Sequence, residues 1–312
     1  MENPILSILI PTYNHENYIA QALDSVLMQK TQYPFEVLVG EDCSTDGTRE
    51  ILKAYEENYP GFFTMFYREH NLNNEKIPNG IDLMFHSKGK YLITLEGDDY
   101  WTDPNKIEKQ ISFLESHPEY YAVAHNCLVV GNDSEPNGEK YPECKDEEYT
   151  YRHYFSEILP GQTATFMYRN FLPDDSFHKD YQEIPKGTPS DRVLYYMILV
   201  NDKKIYCMQE AMSAYRHVVD SGSSFSATYK YNFNVEEKWL KAMMDYTERY
   251  KPSWNKYVKC KYLTNLIRAF QRQNLSVKSF REYFIREKLY NVLPICIKRY
   301  MNHHVLKKTF WI

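Results

Sequence analysis

Hydrophobic positions in the first 120 residues fall into two styles: short unbroken apolar runs, and apolar residues spaced by three or four. Ile5 to Ile10 (ILSILI) is a β-branched run of the first kind and predicts a buried strand. PTYNHENYIAQALDSVLMQ follows, with Tyr18, Ile19, Ala22, Leu23, Val26 and Leu27 at helical spacing and Asn14 placed to cap the helix. FEVLVGED (Phe35 to Asp42) predicts a second strand ending in acids. CSTDGT then turns into a helix from about Thr48 to Tyr59, with Ile51, Leu52 and Tyr55 on one face. FTMFYRE and YLITLEG read as a third and a fourth strand. A helix from about Pro104 to Ser116 turns Ile107, Ile111 and Leu114 inward, with Pro104 suited to its first turn.

Strands alternating with helices imply an α/β fold whose mostly parallel sheet is flanked by helices. Ligands in such sheets bind beyond the carboxyl ends of the strands. Three features fall at that edge: PTYN after the first strand, Glu41-Asp42 after the second, and an acidic cluster after the fourth. Residues 133–160 are polar, with Pro and Gly, and read as a surface excursion. Residues 161–225 return to mixed strand and helix. From about Asn234 the spacing is helical.

Composition narrows this little: 43% hydrophobic and 25% charged residues suit a folded soluble chain. No apolar run approaches the roughly 18 residues of a membrane span. The N-terminal segment lacks the basic start of a signal peptide. Six scattered cysteines without a CxxC pair predict reduced thiols and a cytoplasmic setting. Charge changes the picture more. From Lys251 onward 14 Lys and Arg face 2 Asp and Glu, leaving 23 against 40 in residues 1–250. An acidic body thus carries a basic tail.

The acidic cluster is the first chemical pointer. In YLITLEGDDYWTDP, Glu96, Asp98, Asp99 and Asp103 fall within eight residues at the end of a buried strand. Crowded carboxylates repel, and either water or a cation relieves them. A solvated turn is the bland reading of a lone Asp-Asp pair. At a nucleotide-binding sheet edge the pair suits Mg²⁺ or Mn²⁺, which one or two carboxylates hold together with substrate phosphates. Asp42 either caps the CSTDGT turn or accepts the ring N–H of a pyrimidine base on which Tyr13 stacks.

PTYN (Pro11 to Asn14), VGEDCSTDGT (Val39 to Thr48), KGKYLITLEGDDYW (Lys88 to Trp101) and TDPNKIEKQ resemble the family 2 glycosyltransferases of bacterial polysaccharide type, in the family's order and over about residues 5–225. The resemblance implies a GT-A (Rossmann-like nucleotide-diphospho-sugar transferase) fold and inverting transfer of a sugar from a nucleotide donor, UDP by family habit, as in capsule or O-antigen assembly. It implies that Tyr13 and Asp42 hold the base and that Pro11 and Thr12 line the nucleotide site. EGDD would stand for the DxD-type motif, with Asp98 on the ribose–diphosphate side, Asp98 or Asp99 on the metal, and Glu96 a secondary contact where the family usually has Asp.

An inverting displacement also needs a base for the acceptor hydroxyl. TPSDRVLYYMIL supplies Asp191 at the start of a helix, where the resemblance places that carboxylate; capping the helix is its bland role. Ser190 departs from the acidic residue common before it. GQTATFMYRN (Gly161 to Asn170), with Gln162 and Thr163, and Trp101 would border sugar and acceptor. AYRHVVDSGSSFS (Ala214 to Ser226) would form a lid loop in which His217 completes the metal shell. The expected division is 1–230 as catalytic domain, with 1–110 its nucleotide half and 111–230 its acceptor half, and 231–312 as a helical basic extension.

The tail has three readings: a packed extension with a solvated cationic face, attachment to an anionic membrane surface at the inner face of the cell membrane, or nucleic-acid binding, for which it carries no motif. Phe280, Tyr283, Phe284, Tyr290, Phe310 and Trp311 interleave with its Lys and Arg. A membrane reading would suit a saccharide or lipid-linked acceptor. Competing functions are a sugar-phosphate nucleotidyltransferase and a non-catalytic sugar-nucleotide-binding protein. The first would show a Gly-rich loop after the first strand, and PTYNHENY has no glycine. The second would not need Asp191.

Overall fold

The computed structural model describes residues 3–72, 75, 77–174, 178–179, 181, 190–217, 232–272 and 275–300. They group into two compact units. The first comprises residues 1–150, 158–179 and 203–229; the second comprises 151–157, 180–202 and 230–312. Residues 151–157 and 190–202, placed from sequence in the first domain, therefore group with the second unit.

Among the described residues, the first unit is built on a nine-stranded sheet. Its strands are β1 (Leu6–Thr12), β2 (Phe35–Glu41), β3 (Phe63–Tyr67), β4 (Tyr91–Thr94), β5 (Tyr100–Trp101), β6 (Tyr120–Val130), β7 (Glu148–Tyr149), β8 (Met167–Arg169) and β9 (Lys204–Arg216). They run in the order β3-β2-β1-β4-β8-β6-β9-β5, with β7 on β9. The β3–β2–β1–β4 stretch is parallel, as the alternating strands and helices predict. Beyond it β8 is antiparallel to both β4 and β6, while β9 is parallel to β6 and antiparallel to β5.

The apolar runs bury as their spacing predicts. Leu6, Ile8 and Ile10 of β1 pack into one core with Ile19, Leu23 and Val26 of α1 (Ile19–Leu27) and with Ile107, Ile111 and Leu114 of α4 (Lys106–Ser116). Helix α2 (Thr48–Asn58) adds Leu52 to this core, and α3 (Asn79–His86) packs against β1 and β2. Burial on both sides explains why β1 is a continuous hydrophobic run rather than an alternating one. The close β1–β4 seam depends on Gly89: a Cβ there would lie 2.5 Å from the Ser7 nitrogen.

In the second unit α5 (Tyr151–Phe155), α6 (Ser190–Val200), α7 (Phe233–Tyr250) and α8 (Asn255–Gln271) precede the shorter α9 (Val277–Arg286) and α10 (Leu293–Tyr300). Its centre is aromatic. Tyr196 meets Trp239 edge-on at 5.8 Å between ring centroids, and its hydroxyl donates to the Met243 carbonyl at 3.3 Å. No helix among the described residues is long and apolar enough to cross a membrane.

Candidate active site

The register of the parallel strands brings the three sequence features together. Thr12 pairs with Glu41 across β1 and β2, and the Asp42 N–H donates to the Thr12 carbonyl at 3.0 Å. The chain beyond β4 is strapped to the same end of β1: the Leu95 and Gly97 N–H groups donate to Leu9 and Pro11 carbonyls at 2.8 and 3.2 Å. Pro11 and Tyr13 are half-buried and Thr12 is buried. Asp42 is also buried. Its Oδ1 accepts the Leu72 N–H at 2.7 Å. Burial raises its pKa above the usual carboxylate value, against the Leu72 N–H and the nearby Arg68 charge. Asn14 does not cap α1. It sits in the left-handed region (φ 56), and its Oδ1 accepts the Thr45 N–H at 2.8 Å, bracing the CSTDGT turn against PTYN.

Glu96, Asp98 and Asp99 each offer a carboxylate oxygen, and these oxygens lie within 4.8 Å of one another. Gly97 makes the turn by lacking a side chain rather than by an unusual φ. A Cβ would stand 2.6 Å from Thr12 Oγ1 and 2.7 Å from His15 Nδ1. His15 itself, which the sequence did not single out, places Nε2 3.9 Å from Asp98 Oδ2, and burial lowers its pKa against the pull of that acid. An all-oxygen set of this kind fits a hard divalent cation.

The acids differ in setting. Asp98 and Glu96 are half-buried, whereas Asp99 is 1% exposed. Asp99 Oδ1 accepts the Arg216 N–H at 2.8 Å and Oδ2 accepts Gln162 Nε2–H at 2.6 Å. Burial first, then Asp98 and Glu96, holds the Asp99 carboxyl well above the ordinary range. Its charged form is costly until a positive charge joins the cluster.

Arg216 is the main residue that sequence reasoning missed. Buried at the end of β9, it donates through Nε to the Asp98 carbonyl at 2.9 Å and through Nη1 to the Gly131 carbonyl at 2.7 Å. Its Nη2 reaches Gln21 Oε1 at 2.8 Å, and the guanidinium lies 4.3 Å from the Tyr18 ring centroid. One side chain thus ties the acidic turn to α1 and to the loop after β6. Only the adjacency of arginine to the expected His217 could have drawn attention to it. Arg216→Met should lower stability by about 3 kcal/mol or more, since the Asp98 and Gly131 carbonyls and Gln21 Oε1 all lose a donor. Urea unfolding checks this.

The other expected residues separate. Trp101, placed from sequence beside the acceptor, is a core residue at 1% exposure, its Nε1–H donated to the Ala164 carbonyl at 3.0 Å. As the second residue of the edge strand β5, Trp101 turns its large apolar ring to the core, where its surface is covered. Gln162 supports Asp99 and also accepts the Ala164 N–H at 2.7 Å, opening the 3₁₀ turn Thr163–Thr165, whose first residue is half-buried. His217 stands outside the acid cluster: its Nδ1 is 2.6 Å from Glu139 Oε2, on the loop after β6. The lid residues after His217, together with Phe310 and Trp311, lie outside the described residues. Asp191, in the first turn of α6, is half-buried, and that burial raises its pKa against the lowering pull of Arg192.

The sequence profile of Glycosyl transferase family 2 matches residues 7–175, more than half of the chain. The chain belongs to this family. Its relatives include the putative teichuronic acid biosynthesis glycosyltransferase TuaG of Bacillus subtilis, 35% identical over 222 residues, which are 71% of this chain and 82% of TuaG. An uncharacterised protein of Mycobacterium tuberculosis is 32% identical over 68% of this chain. The chain spans 58% of the length of that mycobacterial relative. Among solved structures, the Staphylococcus aureus TarS fragment in complex with UDP-GlcNAc superimposes with a TM-score of 0.63 at 19% identity, covering 85% of this chain and 72% of that one. At that identity the likeness is one of fold. This family 2 member therefore shares the GT-A-like fold that its sequence implied.

Proposed function

We propose that this family 2 glycosyltransferase is an inverting hexosyltransferase. It would move a sugar from a UDP donor to a glycan or lipid-linked saccharide during bacterial polysaccharide assembly. The observation that carries the reading is the meeting, at one sheet edge, of Asp42 with the carboxylates of Glu96, Asp98 and Asp99. The teichuronic acid name of TuaG and the UDP-GlcNAc bound to TarS support the choice of polysaccharide and of uridine.

Tyr13 stacks on the base and Asp42 accepts its ring N–H, while Pro11 and Thr12 flank the nucleotide. Asp98, with Glu96 beside it, faces the diphosphate. Asp99 is the inner acid, fixed by Arg216 and Gln162, that holds the turn in shape. A divalent cation, Mn²⁺ or Mg²⁺, would be held by Asp98 and Glu96 with Asp99 behind them, and it supplies neutralisation of charge on the departing diphosphate. Asp191 takes the proton of the acceptor hydroxyl. The freed oxygen bonds to the anomeric carbon as the bond to the diphosphate breaks on the opposite face.

Calorimetry of UDP with and without Mn²⁺, followed by a panel of nucleotide sugars scored for slow hydrolysis, tests this. Metal-dependent UDP binding and cleavage of one UDP-sugar are expected. Equal binding without metal would remove the cation, and binding with no turnover of any donor would favour a non-catalytic sugar-nucleotide-binding protein.

A further inference from the structure

We infer that the α9–α10 segment docks this enzyme on an anionic phospholipid surface. Helices at the surface of a globular unit ordinarily present one apolar stripe inward and polar residues outward. The stretch from Val277 to Ile297 is apolar on both sides. Inward, Phe280 meets Phe270 at 5.4 Å between ring centroids, Tyr283 meets Phe233 at 5.4 Å, and Leu289 and Val292 are buried. Outward, Val277 is 71% exposed, Ile285 54% and Ile297 53%, with Tyr290 and Leu293 also exposed. Val277, Arg281 and Ile285 recur every fourth residue, so they lie along one stripe of α9.

Exposed cations are interleaved with these residues along the chain. Lys278, Arg281 and Lys288 are exposed, and no ion pair among the described residues involves them; Arg286, by contrast, is held by Glu237 at 2.6 Å. Glu282 is the exposed acid on α9. The surplus continues along the sequence, with 14 Lys and Arg against 2 acids from Lys251 onward. A second copy of the chain is a poor occupant, because a two-fold contact would set these cations against themselves. Aliphatic side chains scattered among long cationic ones match a fluid anionic interface, where the apolar tips enter the headgroup boundary and the ammonium groups stay wet. The inference deepens the lipid-linked acceptor reading without resting on the donor chemistry.

Flotation of the full chain with vesicles of phosphatidylcholine, alone or with about one part in three phosphatidylglycerol, tests it. Binding to the anionic vesicles should exceed binding to the neutral ones by about ten-fold or more. It should fall as salt screens the charges. The double substitution Ile285→Glu with Ile297→Glu, and separately Lys278→Gln with Arg281→Gln, should each cut it about ten-fold. UDP-sugar hydrolysis in solution should stay at the parental rate in both variants, which separates loss of docking from loss of the active site. Equal binding to both vesicle types, or parental binding by both variants, would overturn the inference. So would dimerisation in light scattering that the Ile285→Glu, Ile297→Glu variant abolishes.

Discussion

Asp98→Asn is expected to remove the metal dependence of UDP binding and to lower turnover at least about 100-fold, the scale of one lost electrostatic contact at a charged transition state. Asparagine keeps the size of the side chain and its backbone place in the turn, so the loss reports the charge. The same change should make the metal-free protein more stable. Burial and then the Asp98 charge raise the pKa of Asp99, so in the folded state Asp98 disfavours the ionised form of its neighbour, and removing that charge relieves the cost. A higher urea midpoint without Mn²⁺, combined with weaker nucleotide binding in its presence, is the pattern to look for. A variant that still binds UDP only with Mn²⁺, at parental affinity, would take Asp98 out of the cation site.

For Asp191→Asn the expected result is a fall in turnover of about 10²- to 10⁴-fold, the contribution of a positioned general base. Donor affinity should stay unchanged. Asparagine still fits the first turn of α6 but cannot take a proton at neutral pH. The pH profile adds a second readout. Burial raises the Asp191 pKa, and only the deprotonated carboxylate can act as a base. The parental rate should therefore decline, as pH falls, at a pH above the ordinary carboxylate range, and the variant should lack that limb. Stability runs in the opposite sense. A carboxyl whose pKa is higher folded than unfolded stabilises most below the unfolded value, and that contribution fades as pH rises through the folded one. The asparagine variant should thus match or exceed the parent in urea midpoint at neutral pH. Undiminished turnover with donor still bound would exclude Asp191 as the base.

Much of the scaffold for these experiments was legible in the sequence. ILSILI, FEVLVGED and YLITLEG became β1, β2 and β4 because strands covered on both faces need unbroken apolar runs, and helix periodicity located α1, α2 and α4. PTYN, Asp42 and the acids met because parallel strands in register deliver their carboxyl ends to one edge. The antiparallel β8 was less visible. It spans three residues and is defined by its neighbours, not by a pattern of its own.

Side-chain direction was the part that could not be read. Asp99 and Arg216 are 117 positions apart, and no local rule connects them. Trp101 followed the acids and looked like part of the site, yet its ring is buried beside Lys106, whose Nζ lies 4.1 Å from the ring centroid. His217 had the right residue type for a ligand, and a carboxylate on another loop took it.

The chain by itself settled which segments become strands and helices and which residue types gather at the sheet edge, since both follow from local periodicity and from the polarity of a parallel sheet. Only the folded arrangement decided which acid turns inward and what anchors it. Those outcomes depend on which distant groups burial leaves within reach, and on the need of each buried polar atom for a partner.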